Sequence, residues 1–286
     1  MARRKKYLQE IIVLLFSLFL LGLSAVWLSD VLYRKSSAAR LSLLDLQSDS
    51  FRKQSMTEDD LRDMADMVKG SGIQISDYIV LRSTVMKGKK GQDCDIRAWM
   101  KWKYIMLKEN RAGYEKISNA YGAIWDDLEC FPVDGNPIYF ENSWMFERYY
   151  GGKRGHEGTD LIPEENIPDY YPVVSMTDGI VEKIGWLPQG GYRIGIRSPS
   201  GGYFYYAHLS NYYQDFEVGD LVYAGDVLGT MGDTGYGEEG TTGKFDVHLH
   251  VGIYIKTENF SEMSVNPYWV LRYLQDSSKG SVASSQ

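Results

Sequence analysis

Four histidines and one aspartate are the residues through which this chain could act on a substrate: His156, His208, His248, His250 and Asp160. His248 and His250 flank Leu249 in residues 245–255, where Phe245, Val247, Leu249, Val251, Ile253 and Ile255 are all apolar. Alternation of this kind predicts a strand with one face in a core and Asp246, His248, His250, Gly252 and Tyr254 on the other. Both imidazoles then point away from the core, about 6–7 Å apart along the strand. At that separation one can ligate a metal while the other stands beside the reacting water or substrate. A lone His-x-His is more often a pair of hydrogen-bonded surface histidines, so the rest of the chain must decide.

His156 lies in Arg154-Gly155-His156-Glu157-Gly158-Thr159-Asp160. Two glycines around it predict a tight backbone that can turn a histidine and a carboxylate inward together. Catalytic zinc takes three protein N/O ligands and leaves a fourth position open. His156, Asp160 and one histidine of the 248/250 pair meet that requirement. Glu157 does not make a His-Glu-x-x-His helix motif, because Asp160 stands where the second histidine would be; it reads as a solvent residue or a neighbour of the ligands. His208 falls in Tyr203-Phe204-Tyr205-Tyr206-Ala207-His208-Leu209-Ser210, a strand-like aromatic run, where by itself it reads as a half-buried structural histidine.

The order of these pieces resembles the LytM/lysostaphin-type zinc metallopeptidases, peptidase family M23. The matching motifs are Gly155-His156-Glu157-Gly158-Thr159-Asp160, Tyr206-Ala207-His208-Leu209 and His248-Leu249-His250. They fall within residues 131–275. The resemblance implies Zn2+ held by His156, Asp160 and His250. It implies His208 and His248 flanking the activated water and scissile carbonyl, as general acid/base or oxyanion-stabilising groups. It also implies peptidoglycan peptides as substrate. Some LytM-like domains have lost metal ligands and act as scaffolds or activators of wall hydrolases, including in division or sporulation complexes; every ligand position is filled here.

The elements that must position these residues follow from composition. Arg3, Arg4, Lys5 and Lys6 precede residues 11–28, a stretch without charge that is just long enough to span a bilayer. The basic flank predicts a single-pass anchor with its N-terminus cytoplasmic and the rest outside. Leu23-Ser24-Ala25 is a poor signal-peptidase site, so the segment is expected to stay uncleaved. Residues 1–34 thus read as basic tip and anchor, and 35–56 as a polar juxtamembrane tether. Residues 57–130 read as a helical extracytoplasmic region, 131–275 as the peptidase domain and 276–286 as a disordered tail. The fold class expected is α+β, with a mainly antiparallel β catalytic domain.

All eight prolines lie beyond Cys130, as do most glycines, which sets the helical and turn-rich parts against each other. Thr57 before Glu58-Asp59-Asp60 predicts a helix start, with helices also expected over 94–107 and 112–128, broken at Asn110-Arg111. Met100, Trp102, Met106 and Trp125 read as packing residues, and 87–91 as a solvated loop. Strands are expected over 179–186, 192–197, 203–209 and 220–227, and a short helix over 267–274. Residues 218–229 resemble hairpins shared with lipoyl-type barrels but lack a lysine to modify. A net charge of −7 argues against nucleic acid as a partner. Cys94 and Cys130 could form one disulfide. The helical region could bind a protein partner, cover the groove, or act as a spacer with its own core. Tyr203, Tyr205, Tyr206 and Tyr254 cluster near the site, although tyrosines in a β-rich domain are more often packing residues.

Overall fold

The computed structural model describes residues 2–85, 96–133 and 137–283. The 87–91 loop and Cys94 lie outside these residues, so the expected disulfide does too; Cys130 Sγ lies 3.0 Å from the Ser175 carbonyl.

Helix α1 (Ala2–Leu43) contains the apolar stretch and is long and apolar enough to cross a membrane, by length and composition. It then continues through residues expected to form a tether. Ala38 and Leu41 are buried, as are Leu46 and, in α2 (Asp49–Arg52), Phe51. The apolar residues that interrupt this polar segment dock it onto the helices behind. Arg52 donates to the Ser264 carbonyl and hydroxyl, both at 3.1 Å, tying the segment to the β domain.

α3 (Glu58–Val68) opens with the expected capping box, in which Thr57 Oγ1 accepts from Asp60 N and Asp60 answers the Thr57 amide. α4 (Ile75–Thr84) has no side-chain cap from its own Gln74. Asp126, at the far end of the region, instead accepts from Ser76 N at 2.8 Å and Ser76 Oγ at 2.6 Å, satisfying an amide the first turn leaves open. α5 (Ile96–Trp125) breaks at Asn110, whose φ/ψ of −154/71 is not helical. The Asn110 side chain caps Gly113 N and donates to Ala38 O and Ser42 Oγ, so the kink is also the joint to α1. Met106 and Trp125 are fully buried, as packing residues should be, whereas Met100 is exposed.

The β domain runs β1 (Ile138–Tyr139), β2 (Glu147–Arg148), β3 (Arg154–Gly155), β4 (Thr159–Pro163), β5 (Pro172–Val174), β6 (Gly179–Leu187), β7 (Gly191–Arg197), β8 (Tyr203–Tyr212), β9 (Leu221–Val222), β10 (Val227–Met231), β11 (Leu249–Ile255) and β12 (Met263–Val265), then α6 (Tyr268–Ala283). The main sheet is antiparallel throughout, ordered β1-β4-β11-β8-β7-β6-β9, with β5, β10 and β12 joined to it; β2 and β3 form a separate hairpin. The strand expected over 220–227 is two short strands, because Gly225 at φ 87° and the Asp226 carboxylate bonded to Tyr223 N make a turn between them. Helix α6 extends past residue 274 into the expected tail, since adding turns to an existing helix costs far less than starting one.

Helices and sheet share one apolar core. Gly202, in the β7–β8 turn, leaves room for the Ala123 carbonyl of α5, 1.8 Å from where a Cβ would stand. Asp127 accepts from Ser200 N at 2.7 Å beside it. Among the described residues, the helical region thus shares its core with the sheet rather than having a separate one. The described residues that line the main groove of the β domain all come from 148–262.

Candidate metal and catalytic site

Strand β11 separates its two faces as the alternation requires. Val251, Ile253 and Ile255 are buried, while His250 and Tyr254 line a cavity of about 690 Å³. The register sets His250 opposite Asp160 of β4 on one side and opposite Ala207 of β8 on the other. Alternation does not reach Phe245. There the chain is held by Asn166, bonded to Val247 N and to Asp246, and the Phe245 ring turns to the groove, 4.6 Å from His208.

His156 Nε2, Asp160 Oδ1 and His250 Nδ1 converge. His156 Nε2 lies 3.0 Å from Asp160 Oδ1 and 2.9 Å from His250 Nδ1, and His250 Nδ1 is 3.0 Å from the same carboxylate oxygen. Ligand atoms around tetrahedral zinc, bonded at about 2.0–2.2 Å, stand roughly 3.3 Å apart. The triangle is slightly tighter, so the donor set fits a zinc ion after a small expansion. His156 is almost fully buried, and its Nδ1 faces the Ser143 carbonyl at 3.2 Å. The Ser143 hydroxyl and Arg148 Nη2 lie at the same distance from Nδ1, so these contacts hold the ring with Nε2 aimed at the cluster. Burial would raise the Asp160 carboxyl, but hydrogen bonds and charge from His156 and His250 outweigh it and hold it well below the usual carboxylate range. Burial lowers the His250 imidazole, with Asp160 opposing.

His208 and His248 face this cluster, their rings 4.7 Å apart. Each has Nδ1 beside a backbone carbonyl: Thr234 O at 2.8 Å for His208 and Asp246 O at 2.7 Å for His248. Donation from Nδ1 leaves both Nε2 atoms as the groups that can exchange a proton. His208 is buried rather than half-buried, and its ring lines the groove. Burial, followed by the charges of His248 and His250, pushes its imidazole well below the ordinary value.

Its orientation comes from a bulge. β7 pairs Tyr192 with Leu209 and Ile194 with Tyr206, so Ala207 and His208 together oppose Arg193. His208 takes up the extra residue at φ 63°, which turns its ring to the groove beside Ala207 rather than to the core beside Tyr206. Tyr206, expected near the site, is instead wholly buried and accepts a hydrogen bond from Met176 N. Tyr203, Tyr205 and Tyr254 do line the groove. Burial raises the Tyr205 phenol to about 12, with Arg193 and Arg154 pulling the other way.

Two kinds of neighbour were not legible in the sequence. Arg148, from the β2–β3 hairpin, donates to Asp160 Oδ2 at 2.7 Å. Arg154 and Arg193 reach the groove from β3 and β7. No motif marks them, although Arg148 lies twelve residues before Asp160 in the same turn-rich stretch. Glu157 contributes its carbonyl, 3.4 Å from the Tyr254 hydroxyl.

An antiparallel β domain with a His-Asp-His donor triangle and two further histidines beside it is the arrangement of proteins whose site could hold a metal ion. The family model for peptidase family M23 matches residues 154–267. An L-Ala–D-Glu endopeptidase of Bacillus subtilis (strain 168) is 40% identical over 160 residues, covering 56% of this chain and 48% of that protein. The chain thus spans about half the length of that curated relative. A solved structure from Ruminococcus gnavus, assigned as a glycyl-glycine endopeptidase LytM, is 43% identical with a TM-score of 0.69, covering 84% of this chain and 96% of its own. The chain belongs to peptidase family M23.

Proposed function

We propose that this chain is a membrane-anchored zinc endopeptidase that hydrolyses peptide bonds in cell-wall peptidoglycan. The observation that carries the reading is the convergence of His156 Nε2, Asp160 Oδ1 and His250 Nδ1 beside two histidines with Nε2 free to exchange protons. His156, Asp160 and His250 would hold Zn2+ as its protein ligands. The ion, when bound, polarises a carbonyl and lowers the pKa of water towards neutrality. His208 and His248 supply proton transfer: one Nε2 accepts a proton from the attacking water, and proton return to the leaving amine completes the cleavage. Their Nδ1 bonds to fixed carbonyls keep both rings aimed at that reaction. Burial keeps the His208 imidazole neutral, the form able to accept.

The family's substrate class supports a wall peptide, as do relatives named for L-Ala–D-Glu and glycyl-glycine bonds. The charge-free residues 11–28 within α1, behind four basic residues, support an anchor with the β domain outside the cytoplasm.

The test uses the full chain in detergent, because the helical region shares the core of the β domain. Zinc content is measured, and isolated peptidoglycan digests are analysed by mass spectrometry. One zinc per chain and new peptide termini are expected, both lost in His250→Ala. Absence of zinc, or identical digests from wild type and variant, would favour a non-enzymatic scaffold.

A further inference from the structure

Four cationic side chains border the groove: Arg148, Arg154, Lys183 and Arg193. Two of them are neutralised in place, Arg148 by Asp160 and Lys183 by Glu262. Arg154 and Arg193 make no ion pair among the described residues, and Arg154 Nε and Arg193 Nη1 are buried without a hydrogen-bond acceptor. A buried guanidinium N–H left without an acceptor carries its full desolvation penalty. Two guanidiniums that line one cavity without a protein anion, beside two cations that are paired, mark a place for an anion that the protein itself does not supply.

The sheet register fixes where that place lies. Asp160, His250 and Ala207 stand opposite one another across β4, β11 and β8, and Arg193 of β7 continues the row across the bulge at Ala207 and His208. At about 4.8 Å per strand, the Arg193 backbone is roughly 10 Å from that of His250. Tyr205 stands between them on the same face, its ring edge-on to His250 at 5.9 Å between centroids. Arg154 approaches from the β2–β3 hairpin, two residues before His156. A peptide with its scissile carbonyl at the His-Asp-His cluster covers about 3–7 Å over one or two extended residues, and the arginine side chains, which reach into the groove, close the rest of the distance.

We infer that Arg193 and Arg154 form a carboxylate-binding subsite, which selects peptides carrying a free carboxylate one or two residues from the cleaved bond over neutral peptides such as glycine bridges. The inference rests on the endopeptidase reading and narrows its substrate class. A guanidinium binds a carboxylate with two parallel, charge-assisted hydrogen bonds. A neutral peptide strips water from the groove-facing guanidinium nitrogens without supplying an acceptor, so the subsite discriminates by penalty as well as by attraction.

The test uses full-length, zinc-loaded protein and two synthetic peptides that differ only in a glutamyl carboxylate or its carboxamide beside the cleaved bond. Both kcat/KM and calorimetric binding are measured for wild type, R193Q, R154Q and R193K, with zinc content and thermal midpoint recorded for each. Wild type is expected to prefer the carboxylate peptide by about tenfold or more. The ratio is expected to fall towards one in R193Q, to fall in R154Q, and to survive in part in R193K, which keeps the charge. A wild-type ratio near one overturns the subsite, as does an R193Q ratio equal to that of wild type. If neither peptide is cleaved but wild type still binds the carboxylate form more tightly and R193Q does not, the subsite stands and the endopeptidase reading fails. If neither peptide binds, the subsite is wrong.

Discussion

Arg148 and Asp160 are joined across the edge of the site: Arg148 Nη2 donates to Asp160 Oδ2 at 2.7 Å, while Oδ1 of the same carboxylate faces His156 and His250. One oxygen is held so that the other can serve as a ligand. Partners of this kind fix ligand orientation, and their loss costs about 10–100-fold in metal affinity. Arg148→Gln is therefore expected to weaken zinc binding by that order, read by competition with a chelator of known affinity. Unchanged affinity would assign the arginine to substrate instead.

In the proposed mechanism His208 and His248 contribute proton transfer without holding the metal. His208→Ala and His248→Ala are each expected to keep one zinc per chain and to lose cleavage by at least about a hundredfold. His156→Ala and His250→Ala are expected to lose both. Zinc content measured beside the rate of peptide release separates the two groups, and zinc loss in His208→Ala would contradict the assignment.

Gly158 leaves no space for a side chain. A Cβ there would lie 2.5 Å from His250 Cε1 and Nε2, and 2.5 Å from the Val251 carbonyl. The carbonyl belongs to the sheet and cannot yield, so the imidazole must move. Gly158→Ala is expected to destabilise the fold by about 1–3 kcal/mol and to weaken zinc binding as well. A thermal midpoint and zinc affinity both matching wild type would show that the ring adjusts freely.

Gly202 tests the union of helices and sheet. Its Cβ would meet the Ala123 carbonyl at 1.8 Å, so Gly202→Ala is expected to cost at least about 1–3 kcal/mol and to lower the denaturation midpoint of the whole chain. If the two regions unfold independently, the β domain's transition will stay in place while the helical one shifts.

The metal-free protein should also lose stability on mild acidification. The His208 pKa is depressed in the fold, so below its unfolded value near 6.5 the unfolded chain binds a proton that the native chain refuses. Stability from this group is present above pH 6.5 and falls as pH drops towards the folded pKa, by at most about 1.4 kcal/mol per pH unit. His208→Gln should flatten the slope between pH 6.5 and 5 in chelator-treated protein. An unchanged slope would mean that another group carries it.

The sequence by itself determined what depends on near neighbours. The period-two run around His250 placed its imidazole off the core, and the Thr57 capping box set a helix start, because alternation and capping involve residues a few positions apart. The Gly155–Asp160 motif indicated ligands turned inward for the same reason. Tertiary structure decided what depends on strands meeting. Strict alternation places His208 with Tyr206, yet pairing with β7 forces a bulge, and His208 takes a left-handed backbone that turns it to the groove while Tyr206 stays in the core. Arg148 reaches Asp160 by way of a hairpin, and Arg193 joins the row of His250 only through the register of β7, β8 and β11. Residues 35–56 read as a tether because their composition is polar, and the few apolar side chains among them found a core only when the helices and sheet packed together. Local pattern assigns a residue to a face; only long-range pairing decides which faces, and which charges, are brought to one site.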